Sequence, residues 1–221
     1  MFTRIAHRYD FMNSVMTGGR HHAWRQIAVR MTALPKEALV LDVGCGTGDF
    51  ALQLARLSAA NVIGVDLSHE MLILAQRKTR ASNIQSWVSF QIADALSLPF
   101  LDNQFQGATV GFTLRNVINI HSALEELHRV VRPRGKVVIL ELTPVSSGIG
   151  APLIRFYMYK VIPWLGRMLA QDSNAYTYLP NSVTAFPLAE ALADIMRDVG
   201  FNHVWFRRLA LGTVAIHVGE K

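Results

Sequence analysis

The chain has 221 residues, 51% of them hydrophobic and 17% charged, with 22 Lys and Arg against 16 Asp and Glu for a net charge of +6. That length supports one sizeable core, while no apolar run approaches the roughly 20 residues that cross a bilayer, so a spanning helix is excluded and the apolar excess must line a core, a pocket or a membrane-facing surface. The single Cys45 excludes an intrachain disulfide and fits a reducing compartment, and the opening MFTRIAHRYD lacks the long apolar stretch of a secretory leader. The positive charge suits an anionic surface such as phospholipid or nucleic acid, with ordinary solubility charge as the alternative.

Residues 1–36 precede the first strand. Their second half places Ala23, Trp24, Ile27, Ala28 and Met31 at helical spacing, predicting a helix over His22 to Met31, set off by Gly18 and Gly19. The aromatic lead, with Phe2, Tyr9, Asp10, Phe11 and Asn13, reads either as a docked arm or as a cap over a glycine-rich turn at residues 44–48.

Leu39, Val40, Leu41 and Val43 form a continuous apolar run, the pattern of a strand covered on both faces, broken by Asp42. Gly44, Gly46 and Gly48 then allow a tight turn and close approach to a ligand, and Thr47 and Asp49 open a helix carried by Phe50, Leu52, Leu54, Ala55 and Leu57. A ligand-free strand-to-helix turn is the alternative for such a motif taken alone.

Asn61 to Asp66 is predicted as a second buried strand, followed by Ser68 as cap of a helix over His69 to Arg80. Asp66 lies 20 residues beyond Gly46, close to the spacing at which a carboxylate accepts hydrogen bonds from a ribose, so a nucleoside is the leading ligand. Trp87 to Ile92 is a third strand with Asp94 beyond it, Gln106 to Phe112 a fourth, Ile120 to Val131 a helix, and Lys136 to Leu142 a fifth strand introduced by the turn Arg132-Pro133-Arg134-Gly135. Strands alternating with helices imply a parallel sheet with ligands at the carboxyl ends of the strands, where Asp66, Asp94 and Glu141 sit; helix capping or a solvated loop is the alternative for each acid.

Residues 143–186 break the alternation. Ile154 to Leu169 mixes aromatic and long apolar side chains with Arg155, Lys160 and Arg167, and Pro163 kinks or splits any helix there; an interfacial helix, the wall of a pocket for a long apolar substrate and a buried helix pair all fit. Leu188 to Val199 restores helical periodicity, Gly200 ends it, and Val204 to Leu209 with Thr213 to Val218 predicts a terminal antiparallel hairpin.

The pattern Asp42-x-Gly44-x-Gly46-x-Gly48, helix, strand ending in Asp66, strand followed by Asp94 resembles class I S-adenosylmethionine-dependent methyltransferases. A narrower resemblance is to the UbiE/MenG family of polyprenyl quinone C-methyltransferases: Arg8-Tyr9-Asp10 with Asn13, Trp24-Arg25, Gly111-Phe112-Thr113-Leu114-Arg115-Asn116-Val117, Tyr176-x-Tyr178-Leu179 followed by Phe186-Pro187, and Ala215-Ile216-His217. The resemblance implies a doubly wound, mostly parallel seven-stranded α/β sheet of Rossmann-like type, one domain over 1–221, with a helical cap at 1–36 and a helical insertion at 143–186 facing substrate or membrane. It implies a cofactor site of Asp42, Gly44, Gly46, Thr47, Gly48, Asp66 with Leu67, Asp94 with Ala95, and Gly111, in which Asp66 holds ribose hydroxyls and Asp94 and Ala95 bracket adenine. Family members often carry Ser at the position of Gly111 and an acid at those of Asn174 and Asn181, so a hydroxyl contact and a proton acceptor are in question here.

The implied reaction methylates a ring carbon of a reduced quinone precursor, which requires ionising a neighbouring phenolic hydroxyl that titrates near 10. Arg115 is the candidate stabiliser of that phenolate, Asp10 the candidate base, and Tyr9 and Tyr178 candidates to position the ring; a salt bridge is the alternative for Arg115, core packing for Tyr178, and His121 is a lesser base candidate near a helix start. No metal is expected, since adjacent His21 and His22 are poorly placed to share an ion. The expected partner is a polyprenylated quinol met at the inner membrane surface by a cytoplasmic, peripherally associating protein, with a homodimer left open. No nucleic acid is expected, because the basic residues are dispersed, although a methyltransferase acting on RNA or a soluble small molecule, or a non-catalytic S-adenosylmethionine-binding protein, are the competing functions.

Overall fold

The continuous apolar runs become the parallel centre of a seven-stranded sheet in a computed structural model of the chain, which describes residues 14, 17–145 and 181–221. Helix α1 (Arg20–Thr32) leads into β1 (Leu39–Val43), α2 (Asp49–Ser58), β2 (Asn61–Asp66), α3 (His69–Ala81), β3 (Val88–Ile92), β4 (Phe105–Gly111), α4 (Ile120–Val130) and β5 (Val131–Leu142). After a helical turn at 181–185 come α5 (Ala189–Val199), β6 (Asn202–Leu209) and β7 (Val214–Glu220). The order across the sheet is β3-β2-β1-β4-β5-β7-β6, with only β7 running antiparallel to its neighbours, as the terminal hairpin predicts.

Because successive side chains on a strand point to opposite faces, β1 feeds two cores. Leu41 and Val43 pack with Val110, Ile139, Leu124, Leu127, Leu192 and Met196 under α4 and α5, whereas Val40 packs with Val62, Val138, Ile216, Phe50 and Leu54 under α1 and α2. Both faces of the central strands are therefore dry, which is what their unalternating sequence demands.

The helices start where the caps say. Ser68 Oγ accepts the Met71 N–H and Asn119 Oδ1 accepts the Ser122 N–H, while Gly200 at φ 113° ends α5 in the left-handed conformation. The turn predicted at 132–135 differs from expectation. Here β5 is already paired at Val131↔Phe105 and resumes at Lys136↔Gly107, so the four residues bulge out of a continuing strand. Pro133 has no N–H for the ladder, and Arg134, at φ 66°, turns its N–H to the carbonyl of Lys221.

The chain enters the sheet at its centre, runs outward through β2 and β3, then crosses back to β4 on the other side of β1. The carboxyl ends of β1 and β4 thus flank the point where strand order reverses, where α/β sheets bind ligands. Among the described residues no helix is long and apolar enough to cross a membrane. The aromatic lead of residues 1–13 and the insertion at 154–169 lie outside the described residues.

Candidate functional site

Gly44 follows β1 at φ 65°, and a Cβ there would stand 2.1 Å from Thr113 Cγ2, so the loops after β1 and β4 touch only because the side chain is absent. Thr113 Oγ1 closes this contact by donating to the Gly44 carbonyl at 2.9 Å. Gly46, at φ 54°, has no atom within 4 Å of its Cβ position and leaves its backbone open to the space above the sheet. Gly48, at φ 84°, precedes α2, and a Cβ there would press on Ala75 and Phe90 at 3.0 and 3.1 Å. Of the three glycines, the middle one faces open space and the outer two serve loop closure and helix packing.

Asp66 spans the loop from the end of β2: Oδ2 accepts the Gly46 N–H and Oδ1 the Ser68 N–H, each at 2.9 Å. Burial raises its pKa, and the N–H groups of Ser68, Gly46 and Leu67 pull against that rise. Asp94 Oδ1 accepts the Leu96 N–H at 3.0 Å, which curls the chain beyond β3. Gly44, Gly46, Asp66, Leu67, Asp94 and Ala95 all line one cavity of roughly 260 Å³, walled further by Phe112, Asn116 and Ile118. Leu67 is 68% exposed and Ile118 97%, so apolar surface is held at the mouth instead of in the core.

Of the remaining expected cofactor positions, Gly48 lines neither this cavity nor the next, and three gather elsewhere. Asp42, Thr47 and Gly111, with Arg25, Cys45, Asp49 and Phe50, surround a second cavity of roughly 20 Å³ that shares Gly44 and Gly46 with the first. Asp42 is fully buried and accepts the Thr109 hydroxyl at 2.8 Å; burial pushes its pKa to about 7, against the pull of Thr109 and Arg25. Thr47 is buried and accepts from Lys78 Nζ at 2.8 Å. Lys78 also holds Asp49 at 2.7 Å; burial opposes the charge on Asp49, but Arg25 and Lys78 outweigh it and keep the carboxyl below its ordinary range. A Cβ on Gly111 would lie 2.7 Å from Phe50 Cδ2, so the space a serine hydroxyl needs at this position is filled by that ring.

Arg115 occupies a short 3₁₀ turn, Leu114–Asn116, just beyond β4. Its guanidinium, 7% exposed, meets Glu141, 1% exposed, at 2.7 Å and also donates to the Phe112 carbonyl. This is the salt bridge weighed for it from the sequence, and it clamps the wall formed by residues 112–118. His121 is exposed at the start of α4, 3.4 Å from Glu125. Tyr9, Asp10, Asn174 and Tyr178 lie outside the described residues, and Asn181 is exposed on the helical turn at 181–185.

His21 and His22, judged too close in sequence to share an ion, do converge with Asp49, their ligating atoms all within 4.8 Å of one another. Asp49 comes from α2, which linear spacing could not anticipate. Its charge is already answered by Lys78 and Arg25, whose cations oppose a metal at the same spot. Arg25, Lys78, Thr113 and Phe50 are the site residues that motif reading passed over; Arg25 was visible only as part of Trp24-Arg25, and Lys78 as one more basic residue on a helix.

The crystal structure of a SAM dependent methyltransferase from Aquifex aeolicus matches with a TM-score of 0.66 at 19% identity, covering 96% of each chain. The [4+2]-cyclase SpnF matches with a TM-score of 0.74 at 19% identity, over 100% of this chain and 94% of that one, so the fold alone does not name the reaction. Among relatives by sequence, the demethylmenaquinone methyltransferase of Porphyromonas gingivalis is 42% identical over 223 residues, covering 100% of this chain and 91% of that protein. The ubiquinone/menaquinone biosynthesis C-methyltransferase UbiE of Desulfotalea psychrophila is 43% identical over 222 residues, covering 100% and 89%. The family model described as the ubiE/COQ5 methyltransferase family matches residues 1–221. The chain belongs to the ubiE/COQ5 methyltransferase family.

Proposed function

We propose that the protein methylates a ring carbon of a reduced polyprenyl quinone precursor, demethylmenaquinol or the corresponding benzoquinol, with S-adenosylmethionine as donor. The observation that carries this is likeness over the full chain, at 42% and 43% identity, to relatives named for that chemistry. When bound, S-adenosylmethionine supplies a methyl group on a sulfonium cation. The residues at the switch point suit it. The Asp66 carboxylate, already fixed by two backbone N–H groups, keeps acceptor capacity for ribose hydroxyls, and Leu67, Ala95 and Ile118 offer apolar surface for a purine.

The substrate must lose a phenolic proton at a pH well below 10. Asp10 as base, with Tyr9 and Tyr178 positioning the ring, remains the proposal for that step. Arg115 enters it as a buried cation shared with Glu141, which fixes the cavity wall and lends a positive field to the phenolate side. Holding two reactants in line supplies much of the acceleration, so no metal is required in this scheme. The net charge of +6 and the basic, aromatic insertion support transient contact with an anionic membrane where a prenylated substrate resides.

The test is incubation of the purified protein with methyl-labelled S-adenosylmethionine and either demethylmenaquinol or tRNA. Label should appear in the quinol. Label in RNA alone, or donor binding without transfer to either acceptor, overturns the reading.

A further inference from the structure

The turn after β4 carries a strained aromatic residue. Phe112 stands at φ 56°, in the left-handed region that a bulky side chain seldom adopts. Its neighbours hold it there: its N–H donates to the Leu140 carbonyl at 2.8 Å, its own carbonyl accepts from the Arg115 guanidinium, and the hydroxyl of the next residue, Thr113, sits 2.9 and 3.1 Å from the carbonyls of Gly44 and Gly111. Strain maintained in this way marks a position where the direction of a side chain matters.

The ring so aimed is the one aromatic side chain among the described residues lining the larger cavity. Across the sheet order β3-β2-β1-β4-β5 that cavity runs from Asp94 and Ala95 beyond β3, past Asp66 beyond β2, to Phe112, Thr113 and Asn116 beyond β4. The groups suited to a nucleoside stand toward the β3 end. Phe112 stands toward the other, against the buried Arg115–Glu141 pair.

The ring is half-buried against the core under α1 and α2, and the Arg25 guanidinium lies over it, 5.6 Å from its centre. Arg25 does not line the larger cavity, so the cavity meets the ring on its remaining surface. The cation behind the ring decides what suits that surface. A positive group, such as a sulfonium, would gain from the electron cloud of the ring and lose to the guanidinium beyond it. An electron-rich ring gains twice, because the guanidinium draws density out of the phenyl ring and also attracts a stacked phenolate.

Resting on the methyl-transfer reading above, we infer that Phe112 is the platform against which the aromatic ring of the acceptor lies, with Arg115 fixing that platform through the Phe112 carbonyl. The acceptor class it selects is planar and electron-rich, able to ionise beside a buried cation. A ring stacked there is held at the β4 end of the cavity, on the side where Arg115 offers its positive field, before any proton leaves it.

The platform is tested by label transfer from S-adenosylmethionine to demethylmenaquinol, paired with calorimetric titration of S-adenosylhomocysteine into the full chain and its variants. Phe112→Leu bears the same backbone strain without the ring; its KM for the quinol should rise about fivefold, the worth of one stacked aromatic pair, while its affinity for S-adenosylhomocysteine stays unchanged. Phe112→Tyr keeps the ring and should hold KM within about twofold of the unaltered protein. Phe112→Gly, a residue for which φ 56° carries no strain, should raise KM as the leucine variant does, and it keeps the test open if that variant fails to fold. An unchanged KM in Phe112→Leu or Phe112→Gly overturns the platform. An equal loss of S-adenosylhomocysteine affinity also overturns it, by moving the ring to the donor, and so does a tyrosine variant as impaired as the leucine one. If the unaltered protein binds S-adenosylhomocysteine and labels no quinol, the methyl-transfer reading itself fails and the platform with it.

Discussion

The two cavities that meet at Gly44 and Gly46 are made in different ways. The larger, at roughly 260 Å³, is lined mostly by residues at or just beyond the ends of β1, β2, β3 and β4, where the parallel topology gathers them. The smaller, at roughly 20 Å³, draws Arg25 from α1, Asp42 from within β1 and Asp49 from the start of α2, and depends on how those elements pack. The first is an apolar slot with two carboxylates at its edge and the second a charged niche.

The largest effect expected from breaking this arrangement is in the wall of the larger cavity formed by residues 112–118. Arg115→Met leaves the Glu141 carboxylate, 1% exposed, without its cation, and should cost about 3–5 kcal/mol in urea unfolding. Replacing Glu141 by Leu in the same protein should restore most of it. A loss below about 1 kcal/mol would mean that the pair does not hold the wall.

On the charged side, Asp42 releases its proton near pH 3.8 when unfolded and near 7 when folded, because burial disfavours the carboxylate. Between those values the fold retains a proton that the unfolded chain has lost, so this group's contribution falls as pH rises and is constant above 7. At 1.36 kcal/mol per unit, the decline is on the order of 4 kcal/mol. Asp42→Asn should therefore flatten the fall in stability between pH 4 and 7 relative to the unaltered protein; identical slopes in the two proteins would refute the burial argument.

Asp66→Ala removes the acceptor for the Gly46 and Ser68 N–H groups together with the proposed ribose contact, and should weaken S-adenosylmethionine binding about a hundredfold, near 3 kcal/mol. Unchanged affinity by calorimetry would show that the ribose assignment is wrong. The glycines give the smallest and finest contrast. Gly44→Ala drives a methyl into Thr113 and should lower stability by about 2 kcal/mol. Gly46→Ala meets no atom within 4 Å and should cost only about 1 kcal/mol, the strain of a positive φ, while its methyl narrows the ligand space. Equal thermal shifts for the two variants would show that the open and packed roles assigned to these glycines are not distinct.

Much of the larger cavity was legible in the chain before any tertiary contact was known. Gly44, Gly46, Asp66, Leu67, Asp94 and Ala95 come just after strand-like runs at short spacing, and a parallel sheet gathers the loops at the carboxyl ends of its strands. The smaller cavity was not legible in the same way. Thr47 takes Lys78 from 31 residues away, and Phe50 fills the space over Gly111. The Arg132–Gly135 stretch has the composition of a turn and forms a bulge, because Phe105 pairs with Val131 before it begins.

The sequence by itself determined the doubly wound sheet, the glycine loop at its centre, the acids at the strand ends and membership of a methyltransferase family. The sheet, the loop and the acids rest on side-chain period, on the φ angles glycine permits and on apolar runs, all of which act over a few neighbouring residues; the family rests on the resemblance of motifs such as Leu114-Arg115-Asn116-Val117. Tertiary structure alone decided which charges meet: Arg115 with Glu141, and Lys78 and Arg25 with Asp49. Electrostatic energy depends on separation in space and on burial, and neither can be counted along a chain.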